Sequence, residues 1–186
     1  MSSARYRAAV IGCGKMSRGH SRSYVNSPRV DLVAGVDVFA GARDAFSTEF
    51  GVATTYEDPA EMLEREKPDI VSVCTWPPLH ADLTVAAFEA GVKAVWCEKP
   101  MAVHMEDAER MVAAAKRAGG VLVINHQRRY VERYNRARAL IDAGEIGDVT
   151  QITGIAGGDN LTDGTHLIDM TRYLLHDTPI SKVFGA

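Results

Sequence analysis

Short apolar runs alternate with amphipathic stretches over the first two thirds of the chain. Each run is four to seven residues long and rich in valine, isoleucine and alanine, which is typical of strands buried on both faces. The stretches between the runs carry apolar residues at helical spacing and end at a glycine or before a proline. This alternation predicts an α/β fold with a Rossmann-type parallel sheet and helices on both faces. The predicted strands span residues 6–11, 30–36, 52–55, 70–74, 94–97 and 121–125, and the predicted helices span residues 16–26, 40–50, 59–66, 79–90 and 106–118.

The regular alternation stops after Tyr130. Residues 131–143, which are rich in arginine, and residues 166–175 have helical periodicity. Residues 149–155 and 180–186 have the β-branched content of strands. This part of the chain therefore predicts the start of an incomplete α+β second domain.

The two patterns divide the chain into a predicted Rossmann domain, residues 1–127, and a partial substrate or oligomerisation domain, residues 128–186. A sheet of two strands is marginal on its own, so the second part is expected to depend on the first domain, on another subunit or on further chain. The predicted helix at 166–175 also carries more apolar surface than two strands can cover. We therefore expect the chain to self-associate as a homo-oligomer or to lack a C-terminal portion.

A glycine loop after the first predicted strand indicates a nucleotide site. Gly12 permits a sharp turn, and Gly14 removes the side chain where a pyrophosphate would approach. Lys15 and Met16 then open the first helical turn, whose free N–H groups and positive dipole end favour an anion. Ser17 stands where the usual third glycine would be, and it is small enough for close packing of helix and strand. Gly12, Gly14, Lys15 and Met16 are the candidate phosphate-binding residues.

A carboxylate follows the second predicted strand at the spacing expected for ribose binding. Asp37 lies about 20 residues beyond the glycine loop, where it would accept hydrogen bonds from the adenosine ribose. It would also repel a 2′-phosphate, and Val38 and Phe39 supply no compensating cation, although Arg43 lies nearby. NAD is therefore predicted over NADP. The alternative is that Asp37 only caps the helix that begins at Ala40.

Composition narrows the class of protein further. The chain has 186 residues, a net charge of −3 and an isoelectric point near 6.1, so it has no basic field for nucleic acid. No run approaches the ~20 apolar residues of a bilayer span, and the first residues lack a signal-peptide core. Three cysteines without metal-ligand spacing are predicted to be small buried residues in a reducing compartment. We expect a cytoplasmic protein that binds neither membrane nor nucleic acid and holds no metal.

Taken together, the motifs resemble the Gfo/Idh/MocA family of nicotinamide-dependent oxidoreductases. The most specific segment is the run from Ala90 to Ala102, which contains Glu98-Lys99-Pro100. Family members are usually much longer, because an open antiparallel sheet follows the nucleotide domain. The matching features are Gly12 and Gly14, Asp37, residues 75–80, residues 90–102 and residues 164–169.

The resemblance implies that Lys99 lies beside the nicotinamide and the reacting carbinol, with His166 across the pocket. A dry pocket beside a cationic ring would let Lys99 share a proton near neutral pH. The alternative is an exposed lysine at the end of a strand, paired with Glu98. Lys99-Pro100 is a candidate cis peptide bond. By the same resemblance, Thr75, His80 and Glu98 are further cofactor-binding candidates.

The acid that accompanies His166 departs from the family pattern. Many relatives carry an aspartate four residues before this histidine, where this chain has Thr162, with Asp163 one place later. Asp163 is the candidate replacement, or it caps the helix at Gly164. His166 is either catalytic or a capping or packing group, and Asp169 either orients its imidazole or is solvated.

An arginine pair and a tyrosine follow the last predicted strand of the first domain. Arg128, Arg129 and Tyr130 are placed to meet a sugar hydroxyl or a cofactor phosphate, or else they are solvated.

Three functions remain open on the sequence. The leading one is a dehydrogenase that transfers hydride between a nicotinamide cofactor and a C–OH group of a sugar or polyol. The second is a non-catalytic NAD-binding module or a fragment of a longer enzyme, and the third is an NAD-dependent glycosidase. The chain alone is expected to bind NAD but to show little or no turnover.

Overall fold

The computed structural model describes residues 5–185, the side chains of residues 160 and 161 excepted. The chain divides after Asn125 into two compact units. In the first unit, strand and helix alternate as predicted. Its strands are β1 (Tyr6–Ile11), β2 (Val30–Val36), β3 (Thr55–Tyr56), β4 (Ile70–Val73), β5 (Ala94–Cys97) and β6 (Val121–Ile124), and its helices are α1 (Ser17–Val25), α2 (Ala40–Phe50), α3 (Pro59–Glu66), α4 (His80–Glu89) and α5 (Met105–Ala118).

All six strands are parallel, in the order β3-β2-β1-β4-β5-β6. The chain runs outward from β1 to β3 and then crosses over to continue on the other side of β1 at β4. In such a doubly wound sheet, ligands bind at the carboxyl ends of the strands where the order reverses. The predicted fold class is confirmed, and the reversal lies between β1 and β4.

Two hydrophobic clusters cover the two faces of this sheet. One face packs against α3, α4 and α5 through residues such as Met62, Phe88 and Met111. The other face packs against α1 and α2 through Tyr24 and Phe46. Because side chains alternate across a strand, β1 contributes to both clusters and is buried throughout its second half.

Local signals set the ends of the helices. The Asp58 carboxylate accepts a hydrogen bond from the Ala60 N–H at 2.9 Å, and Pro59 occupies the first position of α3, as predicted. Gly51 and Gly119 end α2 and α5 in the left-handed region, at φ +68° and +61°.

The third strand is displaced from its predicted position. It spans Thr55–Tyr56 rather than residues 52–55, and it pairs only with Gly35 and Val36 of β2. Val52 is instead buried among the residues packed against Phe46. Val52 therefore packs in the core and does not pair with β2. The sequence pattern alone does not distinguish these two outcomes for an apolar residue before an edge strand.

The second unit is mainly helical. It contains a short 3₁₀ turn (Gln127–Tyr130), α6 (Glu132–Asp142), a π-helical turn (Asn160–Gly164) and α7 (Thr165–Leu174). The two predicted helices are confirmed within one residue at each end.

The two strands predicted for the second unit are wrong. Residues 149–155 and the described residues 180–185 form no strand, and Ala186 lies outside the described residues. Ile155 and Phe184 are 94% and 90% exposed. A β-branched run forms a strand only when a neighbouring strand accepts its hydrogen bonds, and the described part of this unit supplies none.

Polar contacts hold the second unit together. Arg129 binds Asp169 through Nε and Nη2, at 2.9 and 2.7 Å, and also binds Asp177 at 3.0 Å. The Tyr173 hydroxyl donates to Asn135, which joins α7 to α6. Arg129 and its neighbour Arg128 are therefore in different settings, since Arg128 only approaches Asp163 at 4.0 Å. Across the described residues, no helix has the length and apolar character needed to cross a membrane.

Candidate active site

The first residue of the glycine loop, Gly12, is at a position that only glycine can occupy. Gly12 has φ +92°, and its N–H donates to the Val36 carbonyl at 2.7 Å. A Cβ at this position would lie 2.6 Å from the Cys74 carbonyl oxygen, closer than any van der Waals contact allows. The loop after β1 therefore passes directly against the end of β4, at the reversal in strand order.

Beyond Gly12 the loop opens toward the first turn of α1. A Cβ on Gly14 would meet none of the described atoms within 4 Å, so this position borders open space. The buried Ser17 hydroxyl donates to the Gly14 carbonyl at 2.6 Å and fixes the loop to the helix. Lys15 and Met16 are exposed, and the N-cap residue Met16 has no side-chain oxygen to occupy the first N–H groups. These features fit a pyrophosphate.

Asp37 ties the glycine loop to the end of β2. Its Oδ2 accepts from the Cys13 N–H at 2.9 Å, and its Oδ1 accepts from the Phe39 N–H at 3.0 Å. Arg43 donates to the backbone carbonyl of Asp37 at 2.6 Å, so this contact does not occupy the carboxylate oxygens. Phe39, not Asp37, is the N-cap of α2, so the capping alternative is not what the structure contains.

The three cysteines are buried free thiols, as predicted. Burial, together with the charge of Asp37, raises the pKa of Cys13 to about 12, and its Sγ approaches the Val36 carbonyl at 3.4 Å. Burial also raises the pKa of Cys97 to about 12 and that of Cys74 well above its ordinary value. Neutral thiols in such positions act as small apolar residues.

Glu98 and Lys99 lie directly after β5. Glu98 is 4% exposed, and its Oε2 accepts from the Lys99 N–H at 3.1 Å. Its Oε1 accepts from Asn125 Nδ2 at 2.7 Å and lies 3.1 Å from His20 Nε2. The Lys99-Pro100 peptide bond is cis, as predicted. The carboxylate thus lies in the interior of the unit, where it contacts the Lys99 N–H, Asn125 Nδ2 and His20 Nε2.

The environment of Glu98 favours its ionised form. Burial alone would raise the pKa of this carboxyl, but the contacts with His20, Asn125 and the Lys99 N–H together hold the pKa below its ordinary value. His20 continues the network, because its Nδ1 lies 2.9 Å from the Ser72 hydroxyl and its ring stacks on Trp96 at 3.7 Å.

Sequence reasoning missed His20 and Asn125. A signal for His20 was present, because the polar residues Ser17, His20, Ser21 and Tyr24 recur at the spacing of the buried face of α1.

Thr75 and His80 flank the turn that follows β4. The Thr75 hydroxyl is buried and has no hydrogen-bond partner among the described residues, so it is a polar atom that a ligand could satisfy. His80 is fully buried, with Nε2 3.0 Å from the Thr75 carbonyl and Nδ1 2.9 Å from the Pro100 carbonyl. Both ring nitrogens of His80 therefore contact the protein backbone.

The remaining candidates lie in the second unit. His166, on α7, is 5% exposed, and its ring meets that of His126 edge to face at 6.0 Å. Asp163 lies in the π-helical turn, and its side chain is half exposed. Asp169, the residue expected to orient His166 or to be solvated, is bound by Arg129. Within residues 5–185, no three His, Cys, Asp or Glu side chains are grouped to hold a metal ion.

Comparison with known proteins agrees with the fold. Residues 6–126 match the family model described as an oxidoreductase family with an NAD-binding Rossmann fold. The chain is 31% identical to D-glucoside 3-dehydrogenase of Escherichia coli, covering 98% of this chain and 58% of that protein. It is 30% identical to scyllo-inositol 2-dehydrogenase (NAD(+)) of Bacillus subtilis, covering 96% and 56%.

A solved structure shares the fold over the same region. The crystal structure of myo-inositol 2-dehydrogenase from Lactobacillus plantarum superposes with a TM-score of 0.82 at 27% identity, covering 91% of this chain and 56% of that one. The chain thus spans a little over half the length of these relatives. It belongs to the Gfo/Idh/MocA family of oxidoreductases, and its first unit is the NAD-binding Rossmann domain of that family.

Proposed function

We propose that the protein is a dehydrogenase that transfers hydride between NAD and a C–OH group of a sugar or polyol. The observation that carries the proposal is the group of residues at the carboxyl ends of four parallel strands. Gly12 follows β1, Asp37 follows β2, Thr75 follows β4 and Lys99 follows β5. The relatives named above act on inositol and glucoside substrates, which supports the substrate class.

Each of these residues has a separate task in the proposed site. The loop at Gly12 and Gly14 binds the pyrophosphate through backbone N–H groups, with Lys15 and Met16 in the adjoining turn. Each Asp37 carboxylate oxygen accepts one N–H and keeps a lone pair for a ribose hydroxyl. Its negative charge disfavours a 2′-phosphate, so NAD is preferred over NADP.

Lys99 handles the proton of the reacting hydroxyl. NAD, when bound, supplies the nicotinamide carbon that accepts the hydride. An amine that shares the hydroxyl proton accelerates such a step by about 10²- to 10⁴-fold. The buried Thr75 hydroxyl offers a hydrogen bond at the same edge of the sheet.

We assign a role in substrate binding to the second unit, with its boundary near residue 127. Its candidate catalytic residues are His166 and Asp163. The exposed Ile155, Val183 and Phe184 support the prediction of self-association, which light scattering after gel filtration tests. The three buried free thiols support a cytoplasmic location.

NAD binding is the first test. Titration of the chain with NAD and NADP is expected to show tighter binding of NAD, and Asp37→Ala is expected to narrow the difference. Equal or tighter binding of NADP to the parent chain would remove Asp37 from its proposed role.

Turnover is tested in this chain or in a longer form of the protein, whichever oxidises polyols. Lys99→Ala is expected to lower turnover by about 10²- to 10⁴-fold and to leave NAD affinity within a few fold. Lys93→Ala is the matched control, because Lys93 lies just before β5, exposed and paired with Asp69. A Lys99→Ala variant that turns over at the parent rate contradicts the proposal. NAD binding without net reduction indicates a non-catalytic module, and hydrolysis of an aryl glycoside indicates a glycosidase.

A further inference from the structure

The peptide segment that carries Lys99 is held by buried side chains on both sides. We call Glu98 to Pro100 the Lys99 turn. The Lys99 N–H donates to the Glu98 carboxylate at 3.1 Å, and the Pro100 carbonyl lies 2.9 Å from His80 Nδ1. Both contacts are to the backbone, so neither depends on where the lysine side chain lies.

The Glu98 contact is supported at a depth where an ion is expensive. A buried carboxylate is tolerated only when hydrogen bonds replace the water that it has lost. Asn125 and His20 supply two of these contacts, from the ends of β6 and from α1. The Lys99 N–H is therefore held by a carboxylate that is itself fixed from two other elements.

The His80 contact joins the Lys99 turn to the end of β4. Carbonyl oxygens only accept hydrogen bonds, so each contact of His80 requires an N–H on the ring. A neutral imidazole donates to one of the two carbonyls, and the doubly protonated ring donates to both. His80 thus lies between two strand ends, with the Pro100 carbonyl 2.9 Å from Nδ1 and the Thr75 carbonyl 3.0 Å from Nε2.

Charged contacts at the opposite ends of the strands are more exposed. There, Lys93 pairs with Asp69, and Arg7 pairs with Glu66, through side chains that are partly exposed. The turn that carries Lys99 is instead contacted by the buried side chains of Glu98 and His80.

We infer that Glu98 and His80 are positioning residues for Lys99, which fix its backbone from both sides rather than contacting a ligand. The inference rests on the proposed function of Lys99. On the sequence, Glu98 and His80 were cofactor-binding candidates. Here both act indirectly, by holding the backbone of the lysine. A displacement of about 1 Å at a reacting group costs on the order of 10²-fold in rate, so the contacts matter for turnover more than for affinity.

The test compares Glu98→Gln and His80→Gln with Glu66→Gln and His104→Gln. Each control makes the same chemical change away from the Lys99 turn, at the partly buried Glu66 and the exposed His104. Three quantities are measured on the whole chain. They are the NAD dissociation constant, the acylation rate of Lys99 by mass spectrometry with and without NAD, and the hydrogen exchange rate of the Lys99 amide by NMR.

In the parent, NAD at ten times its dissociation constant is expected to slow acylation of Lys99 about ten-fold. Glu98→Gln and His80→Gln are expected to bind NAD within a few fold, yet to reduce that protection to about two-fold or less. Exchange of the Lys99 amide is expected to accelerate about ten-fold in Glu98→Gln. In a form that turns over, kcat falls in both variants while KM for NAD changes little. The two controls are expected to match the parent.

Parent-like protection in both variants overturns the inference. Should either variant fail to fold, Asn125→Ala carries the test, because it removes a donor to Glu98 and keeps the carboxylate. Its effects are expected in the same direction, and parent-like behaviour overturns the inference equally. If NAD does not protect Lys99 in the parent, the proposed function fails. The anchoring of the Lys99 turn is then tested by the hydrogen exchange of the Lys99 amide alone. An unchanged exchange rate in Glu98→Gln refutes that anchoring.

Discussion

The two units bury their side chains to very different extents. The first has a central sheet between two helical layers, and residues such as Val10, Met62 and Met111 are fully buried. In the described part of the second, only Gly164, His166 and Met170 are buried. Apolar burial requires a second layer packed against each apolar face, and the second unit offers only two helices beside extended chain.

The units also differ in the kind of contact that gives them order. The first unit uses close apolar packing, with polar groups concentrated at the strand ends. The second unit relies on the Arg129 contacts with Asp169 and Asp177 and on the Arg138 guanidinium, which lies 4.5 Å from the centre of the Tyr173 ring. Partly exposed ion pairs typically contribute about 0–1 kcal/mol each. The second unit is therefore expected to be much less stable than the first.

Separating the units gives the largest expected effect. Residues 1–125 alone are expected to unfold in one cooperative transition and to bind NAD, because their core is complete. Residues 126–186 alone are expected to lack a cooperative transition. Circular dichroism melting and the spread of amide NMR signals measure both, with the whole chain as control. A well-dispersed spectrum from residues 126–186 would refute the comparison.

Thiol reactivity gives the next effect. A pKa raised to about 12 keeps Cys13 and Cys97 protonated at neutral pH, so their thiolate fraction is about 10³-fold below that at the ordinary value of 9.0. Native alkylation by iodoacetamide is expected to be correspondingly slow and to become fast in denaturant. Ser181→Cys places a thiol on an exposed residue of the second unit as the control. Native alkylation of Cys13 at the rate of this control would show that the first unit opens readily.

Matched methionines sharpen the comparison of the cores. Met62→Ala or Met111→Ala is expected to lower the free energy of unfolding by about 2–5 kcal/mol, since each leaves a cavity between sheet and helix. Met170→Ala, in the second unit, is expected to lower it by about half as much or less, because its surroundings can collapse. Denaturant unfolding measures all three. Equal losses would mean that the second unit is as tightly packed as the first.

Acid gives the smallest effect. Hydrogen bonds from Arg129, and secondarily from Arg172, hold the pKa of Asp177 below its ordinary value. Its contribution is thus present above the unfolded pKa of about 3.9 and is lost as pH falls through the lower folded value. As pH falls below about 4, amide signals of the second unit are expected to shift first. Asp177→Asn removes that part of the pH dependence; a titration identical to the parent would show that the ion pair contributes nothing.

Most of the first unit could be predicted because its signals are local. Buried parallel strands are continuous apolar runs, and Gly51, Asp58 and Gly119 end or begin helices by their own chemistry. The glycine loop and Asp37 were identified as candidate site residues in the same way. The predicted strands of the second unit failed because strand formation depends on a neighbour that no local pattern reveals.

The support of the Lys99 turn could not be predicted for a different reason. His20 and Glu98 are 78 residues apart, and Asn125 lies 105 residues from His20. Only the strand order brings them together. Likewise, His80 lies at the start of a predicted helix, and the sequence does not show that both of its ring nitrogens face backbone carbonyls.

The carboxylate of Asp37 has a consequence for attempts to redesign cofactor preference. A conversion from NAD to NADP would begin by replacing this residue with a small neutral one and adding a cation. Yet Asp37 also accepts the Cys13 N–H, so the replacement would leave an amide of the glycine loop without its acceptor. A successful redesign therefore needs a side chain that still reaches this amide, such as serine or asparagine. Alanine would lower the preference for NAD but would also disturb the shape of the glycine loop, the proposed pyrophosphate site.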